Sequence, residues 1–360
     1  MVEKTAFSKR LLEHQEARNP SALARIDLAK KRIQSILDRD IVAHRKTLEQ
    51  KIAEQGPTGQ RVDPHLVGLA IMDLQETRRL RDHSHPSDQK TQWYSNLLAK
   101  DDQIAERLDE LAPLYSQITG GGFGNLTGDA LEVITFKCLR GIFERNGRYA
   151  YLGYFYLDRP KDKHGRYQKN QPPKSLAGGT TIKEADFVQY GHEAGPLCIE
   201  CKNYREWIYP QDNKIKELII KAYELQTIPV MIARRIHYAA LTNLLEPAGI
   251  ISHESYFQYY PADQSDLADR ARHARSLGFT DVRASEEPDK RTVKFFNDAL
   301  PKIVGPMAVK WHRHRDTLYD YAKNNMNISE LYTAIGSPAG GKWAVKPMGK
   351  PNPEDSDIPY

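Results

Sequence analysis

The segment from Ile182 to Lys202 restricts the fold more tightly than any other part of this 360-residue chain. It reads as two apolar strands joined by a tight turn, in which Gly191 and Gly195 flank His192-Glu193-Ala194 and permit the backbone reversal. Glu193 is the midpoint between Asp186 and Glu200. A regular antiparallel hairpin therefore sets those two acids opposite each other, with Cβ atoms roughly 4.5–5.5 Å apart. Side chains alternate along a strand, so Lys202 shares a face with Glu200, about 6–7 Å further on. Leu197 and Ile199 take the opposite face.

Two carboxylates and an ammonium on one sheet face suit hydrolysis at a divalent cation. Mg²⁺ wants hard oxygen ligands and keeps several waters, so one or two carboxylates and a substrate phosphate complete its shell. The cation polarises the phosphate and lowers the pKa of a bound water. The lysine can orient or deprotonate that water, or stabilise charge developing on phosphorus. The competing reading is a solvated hairpin with a cross-strand ion pair of little energetic weight. Against it stand the apolar neighbours Phe187-Val188 and Leu197-Cys198-Ile199. They place the charges on interior strands, where an isolated carboxylate is costly.

At Asp186 and Glu200-Cys201-Lys202 the chain resembles the PD-(D/E)xK nuclease superfamily, although Asp186 follows Ala185 rather than a proline. The surrounding pattern agrees. A helix is expected from Gly128 to about Phe143 and a strand from Tyr149 to Leu157. After the hairpin come a helix over Gln211 to Gln226, a buried strand over Ile228 to Ala233 and a helix over His237 to Leu245. Further strand follows at Gly249 to Ser252 and Tyr256 to Tyr260. The resemblance covers roughly Leu126 to Pro261. It implies an α/β fold with a restriction-endonuclease-like core, a central mixed β-sheet flanked by helices, carrying helical N-terminal and C-terminal additions. The Glu-Cys-Lys-Asn run and the strand IPVMIA are also similar to Mrr-like restriction enzymes and archaeal junction resolvases.

The resemblance further implies a metal-dependent endonuclease. Asp186, Glu200, Glu132 and the backbone carbonyl of Cys201 would hold Mg²⁺, with Mn²⁺ able to substitute, and Lys202 would stand beside the attacking water. Double-stranded DNA is the expected substrate, with RNA left open, and restriction, phage defence or DNA repair the expected setting. A homodimer and a separate activating chain are expected partners. Two other classes stay open: a catalytically silent nucleic-acid-binding module on the same fold, and a helical scaffold with a merely structural sheet.

The net charge of +5 and pI of 8.8 are compatible with a polyanionic partner without a histone-like excess. No apolar run approaches the ~18–20 residues needed to cross a bilayer, and MVEKTAFSKR lacks a signal-peptide core. Three cysteines form no disulfide framework, so a reducing cytoplasm is the expected location. Cys198 and Cys201 form a C-x-x-C, but positions three apart on a strand face opposite ways, and both are expected to act as small core residues. The pairs His83/His85 and His312/His314 lack partnering cysteines and read as surface features.

Outside the core, residues 1–86 are expected to be helical, with helices over Pro20 to about Gln55 and Pro64 to Arg81. Apolar residues recur at 23, 26, 28, 33, 36 and 37 of the first. Between 87 and 125, short helices over Gln92 to Lys100 and Asp102 to Leu111 precede Gly120-Gly121-Gly122-Phe123-Gly124. That order admits a winged-helix-like segment or a flexible linker. The basic stretch Arg159 to Lys174 carries six Lys/Arg against one Asp, with Pro160, Pro172 and Pro173 enforcing an irregular loop. Its Lys161, Lys163, Arg166, Lys169 and Lys174 are candidate phosphate contacts, against the alternative of a solvated excursion. Tyr204, Trp207 and Tyr209 could stack on bases or close the core; for Trp207 core packing is expected. Residues 262–335 are expected to be helical, over Asp263 to Leu277, Arg291 to Ile303 and Met307 to Asn324. The Pro- and Gly-rich stretch 336–360 reads as a poorly ordered tail.

Overall fold

A computed structural model of the chain describes residues 20–54, 61–176 and 179–337, so the expected tail lies almost wholly outside the described residues. The protein is mixed α/β, with several sheets that include a mixed five-stranded one. Two compact units form. One holds residues 20–123 and Ser265–Val282, and the other begins at Gly124, runs to Gln264 and resumes at Arg283.

In the first unit, α1 (Pro20–Asp40) buries Ala22, Ile26, Ala29, Ile33 and Leu37, a stripe at helical spacing. Leu23, one of the expected stripe positions, is 41% exposed, and the small alanines complete the buried face instead. The single long helix expected to Gln55 is interrupted. Ile41 takes φ +68°, an uncommon conformation for a β-branched residue. The chain then runs through β1 (Val42–His44) into α2 (Arg45–Glu49) and a π-helical turn, Gln50–Glu54. After α3 (Pro64–Glu76) come β2 (Leu80–His85) and β3 (Asp88–Asn96), which form an antiparallel pair with β1 on the other edge of β3. The helix expected over Gln92 to Lys100 is therefore mostly strand. Adjacent Trp93 and Tyr94 suit a pleated, buried surface. Next, α4 (Asp101–Thr119) absorbs both the expected helix and Leu114 to Ile118. The glycine run is neither hairpin nor linker, because it forms the first turn of the next helix, and no winged-helix arrangement results. Helix Ser265–Arg272 completes this unit.

Helix α5 (Gly121–Asn146), longer at both ends than expected, belongs to the second unit from Gly124 onward. The expected Tyr149–Leu157 strand is cut into β4 (Tyr151–Leu152) and β5 (Tyr154–Phe155). At Gly153, φ is +100°, and a Cβ would sit 2.6 Å from the Asp186 carbonyl oxygen. Only glycine fits there. The short β6 (Lys169–Asn170) pairs with β5, and β7 (Ser175–Leu176) pairs with β8 (Gly179–Thr180).

The hairpin strands are β9 (Phe187–Gln189) and β10 (Leu197–Lys202), with Cys198 opposite Val188 and Ile199 opposite Phe187. That is the register the midpoint argument requires, and the ladder stops one residue short of Asp186 and Glu200. Helix α6 (Asn213–Glu224) then crosses over to β11 (Ile228–Ala233), parallel to β10. A second helical crossover, 238–248, leads to β12 (Ile251–Glu254), parallel to β11. The sheet order is β12-β11-β10-β9-β4. Lys202 pairs with Ala233 and Ala233 with Glu254, so the three parallel strands end level. Every residue of β11 is buried and only Lys202 of β10 is not, the pattern of strands covered on both faces. The strand β13 (Gln258–Tyr260) follows. The two helices expected after Arg291 are one helical run: Lys290–Lys294, a π-helical Phe295–Ala299, and α7 (Leu300–Ala322), which packs against α6. Among the described residues no helix is long and apolar enough to cross a membrane.

Candidate functional site

Glu200 and Lys202 stand at the carboxyl end of β10, and Asp186 immediately precedes β9 beside them. The ladder ends with β9 at Phe187, so the Cys201 N–H has no strand partner and instead donates to Asp186 Oδ2 at 2.7 Å. A strand residue's N–H and C=O point to the same neighbour, so the Cys201 carbonyl leaves on the Asp186 side. Helices cover both faces. Cys201 Sγ contacts Thr135 Oγ1 of α5 at 3.2 Å, and Glu200 meets Lys221 of α6 on the other face.

Glu200 is 1% exposed, and both its oxygens are engaged: Oε2 by Lys202 Nζ at 2.7 Å, Oε1 by Lys221 Nζ. Burial alone would raise its carboxyl, but the two ammonium groups outweigh that and hold it below the ordinary range. Burial alone would depress Lys202. Glu200 and Asp186 overturn this and push it up, so the side chain stays an ammonium. Asp186 goes the other way. Burial, then repulsion from Glu200 and Glu132, raise its carboxyl well above the ordinary value, and Lys202 and the Cys201 N–H offset this only in part. Asp186 is half-buried, and its Oδ1 takes no hydrogen bond from any described residue.

Glu132, on α5, lies close enough to this strand end to feel the Glu200 charge. Burial raises its carboxyl, the Lys169 ammonium offsets this in part, and the negative charges of Asp129 and Glu200 add to the rise. Its Oε2 accepts from Lys169 Nζ at 2.9 Å, and Oε1 takes no hydrogen bond from any described residue. Lys169 also reaches Asp129 at 3.2 Å, and Arg166 clasps Asp129 through Nε at 2.6 Å and Nη2 at 2.8 Å. The basic stretch is thus folded inward rather than held free. Lys161 pairs with Asp263 at 3.2 Å and Glu286 at 3.3 Å, and Lys174 lies 3.6 Å from Glu184. Lys163 is exposed. The expected phosphate contacts Lys161, Arg166, Lys169 and Lys174 are therefore engaged by carboxylates of the chain itself.

Sequence reasoning missed Lys221, Asp129 as an ion-pair partner, and Asn203. Lys221 left a signal: it falls on the apolar face of α6 with Ile215, Leu218 and Ala222. Asn203 is buried beside the site; its Nδ2 donates to the carbonyls of Thr127 and Tyr259, and its Oδ1 accepts from the Tyr259 N–H at 3.1 Å. No sequence signal distinguishes that clamp from a surface asparagine. Trp207 is half-buried and Tyr204 is 46% exposed. Cys138, Cys198 and Cys201 are free and buried, and burial raises the thiols of the C-x-x-C, so neither is a thiolate. His83 meets Ser95 at 2.8 Å, and His85 meets Asp109 at 2.9 Å.

Among the described residues no three His, Cys, Asp or Glu side chains form a ready-made metal cage. Mg²⁺ does not need one, since one or two carboxylates with water suffice. The donor chemistry fits such an ion. Asp186 and Glu132 are carboxylates destabilised by neighbouring negative charge, each with an oxygen to spare, and the Cys201 carbonyl points to the same edge. No protein-family model, no curated protein and no solved structure matches this chain. The functional reading therefore rests on the site.

Proposed function

We propose that the protein is a metal-dependent endonuclease of the PD-(D/E)xK type, with a restriction-endonuclease-like core, that hydrolyses phosphodiester bonds of nucleic acid, foremost double-stranded DNA. The observation that carries this reading is the convergence at one sheet edge of Asp186, Glu200 and Lys202, with Glu200 fully buried and its charge balanced by ammonium groups. Such a cluster adds little stability compared with an apolar core. Its chemistry is what a phosphodiesterase requires.

A divalent cation bound at Asp186, Glu132 and the Cys201 carbonyl would supply Lewis acidity and an acidified water. Lys202 holds its proton, which makes it a donor. It is placed to orient the attacking water or a phosphate oxygen and to stabilise the charge that grows on phosphorus. Glu200 fixes the direction of that ammonium through the 2.7 Å bond. Asn203 ties the strand end to Thr127, which lies five residues before Glu132 on the same helix, so the carboxylates keep their spacing. A homodimer that cuts both strands, a separate activating chain and a reducing cytoplasm complete the reading.

The test is cleavage of supercoiled plasmid, linear DNA and RNA in Mg²⁺, Mn²⁺ or EDTA, beside Lys202→Met. Metal-dependent cutting that falls about 10²-fold in the variant is expected, the size of losing one charge-stabilising donor. Equal cutting by both proteins removes Lys202 from the mechanism. DNA binding by both without cutting would point to a silent binding platform.

A further inference from the structure

Lys221 has no place in the motif, yet it is the second cation on its central carboxylate. It lies on the core face of α6, with its side chain 8% exposed, where a leucine would pack without desolvating a charge. Its Nζ occupies Glu200 Oε1 while Lys202 Nζ occupies Oε2. Each Glu200 oxygen thus already faces an ammonium, which repels a further cation, whereas Asp186 Oδ1 and Glu132 Oε1 have no hydrogen-bond partner among the described residues.

We propose that Lys221 is a positioning residue that keeps Glu200 out of the metal's coordination shell, so that Glu200 serves as the anchor of Lys202 and the divalent cation is held from the Asp186 and Glu132 side. This rests on the metal-dependent reading above. An ammonium that repels the cation and blocks a ligand oxygen weakens metal binding. It also holds the Glu200 carboxylate in the one orientation that presents Oε2 to Lys202. Arginine would keep the charge, whereas methionine would keep the packing and remove it.

The experiment is Mn²⁺ binding to the full chain without nucleic acid, followed by the electron paramagnetic resonance of free Mn²⁺. It compares wild type, Lys221→Met, Lys221→Arg and the double variant Lys221→Met/Glu200→Gln, with circular dichroism melts to verify folding. Lys221→Met is expected to bind Mn²⁺ about tenfold more tightly than wild type, because a carboxylate oxygen is released and a cation removed. Lys221→Arg should stay at the wild-type affinity, and the double variant should lose the gain, since no carboxylate is freed. Should Lys221→Met be unfolded, Lys221→Gln, which removes the charge but keeps a donor, is expected to show a smaller gain in the same direction. Unchanged or weaker binding in the folded neutral variants overturns the proposal, as does a gain that survives Glu200→Gln. Absence of Mn²⁺ binding in wild type overturns the metal-dependent reading itself, a different result from equal binding by wild type and variant.

Discussion

The second unit contains two clusters of acids and bases, and they are built differently. The Glu200 cluster sits at a strand end, with Lys202 two residues along the same strand and Lys221 on the helix that covers it. The Asp129/Glu132 cluster joins a helix to an irregular loop, with the Arg166 side chain 35% exposed and the Lys169 side chain 22% exposed. In the first, no member can relax into water. In the second, the acids are largely buried as well, but the cations are partly exposed and can swing out to solvent. Coulomb attraction is present in both, but desolvation makes only the first unforgiving. The strand-end cluster is suited to fixed chemistry and the loop cluster to exchange.

The sharpest way to break this contrast is to remove one acid from each. Glu200→Ala would strand two ammonium groups in the interior, and a loss of about 3–5 kcal/mol is expected from urea unfolding. Asp129→Asn should cost less, about 2 kcal/mol, because Arg166 and Lys169 regain water. Equal losses would mean that the cations of the loop cluster are as firmly shut off from water as those of the strand end.

A second test uses opposite pH signs within the strand-end cluster. Glu200 is held below its ordinary value of 4.5, so its contribution to stability is complete above that value and is lost as pH falls through the lower folded one. Asp186 is raised above 3.8, so folding disfavours its ionised form. The stability that goes with the proton is complete below 3.8 and is lost as pH rises through the folded value. In EDTA, Asp186→Asn should therefore melt higher than wild type near pH 8, with the gain vanishing toward pH 4. Glu200→Gln should melt lower at neutral pH and approach wild type in acid. Thermal melts across that range would reverse the assignment if Asp186→Asn were the destabilised variant at pH 8.

The smallest effects belong to the outer loop. Lys174 and Glu184 are both largely exposed, so Lys174→Ala should change stability by about 0.5 kcal/mol or less. Lys163→Ala should do the same. If either lysine contacts phosphate, its loss lowers the slope of log binding constant against log salt by about 0.9, readable from DNA titrations at several salt concentrations. An unchanged slope leaves the loop as a structural device that supports Glu132.

Much of the second unit could be read from local pattern. Strand β11 was legible residue for residue, because a six-residue apolar run between a helix and an arginine pair admits little else. The hairpin register followed from two glycines and a midpoint, and with it the shared face of Glu200 and Lys202. The first unit was less legible. Gln92 to Lys100 has no clean alternation, and only pairing with β2 and β1 makes it a strand. Ile41 gave no warning that a helix would break there, since nothing local favours φ +68° at a β-branched residue. Gly120 to Gly124 suggested a turn, yet packing of α5 overrides the low helix propensity of glycine.

What the sequence determined by itself is the alternation that puts an acid opposite an acid and a lysine two residues on, since strand period and turn position are local properties. What only the tertiary structure decided is which charges meet. Lys221 reaches Glu200 from the crossover helix, and Arg166 and Lys169 turn inward to Asp129 and Glu132. Neither contact is written in any neighbouring residues. Burial selects them, because a carboxylate removed from water must find a cation wherever the fold brings one.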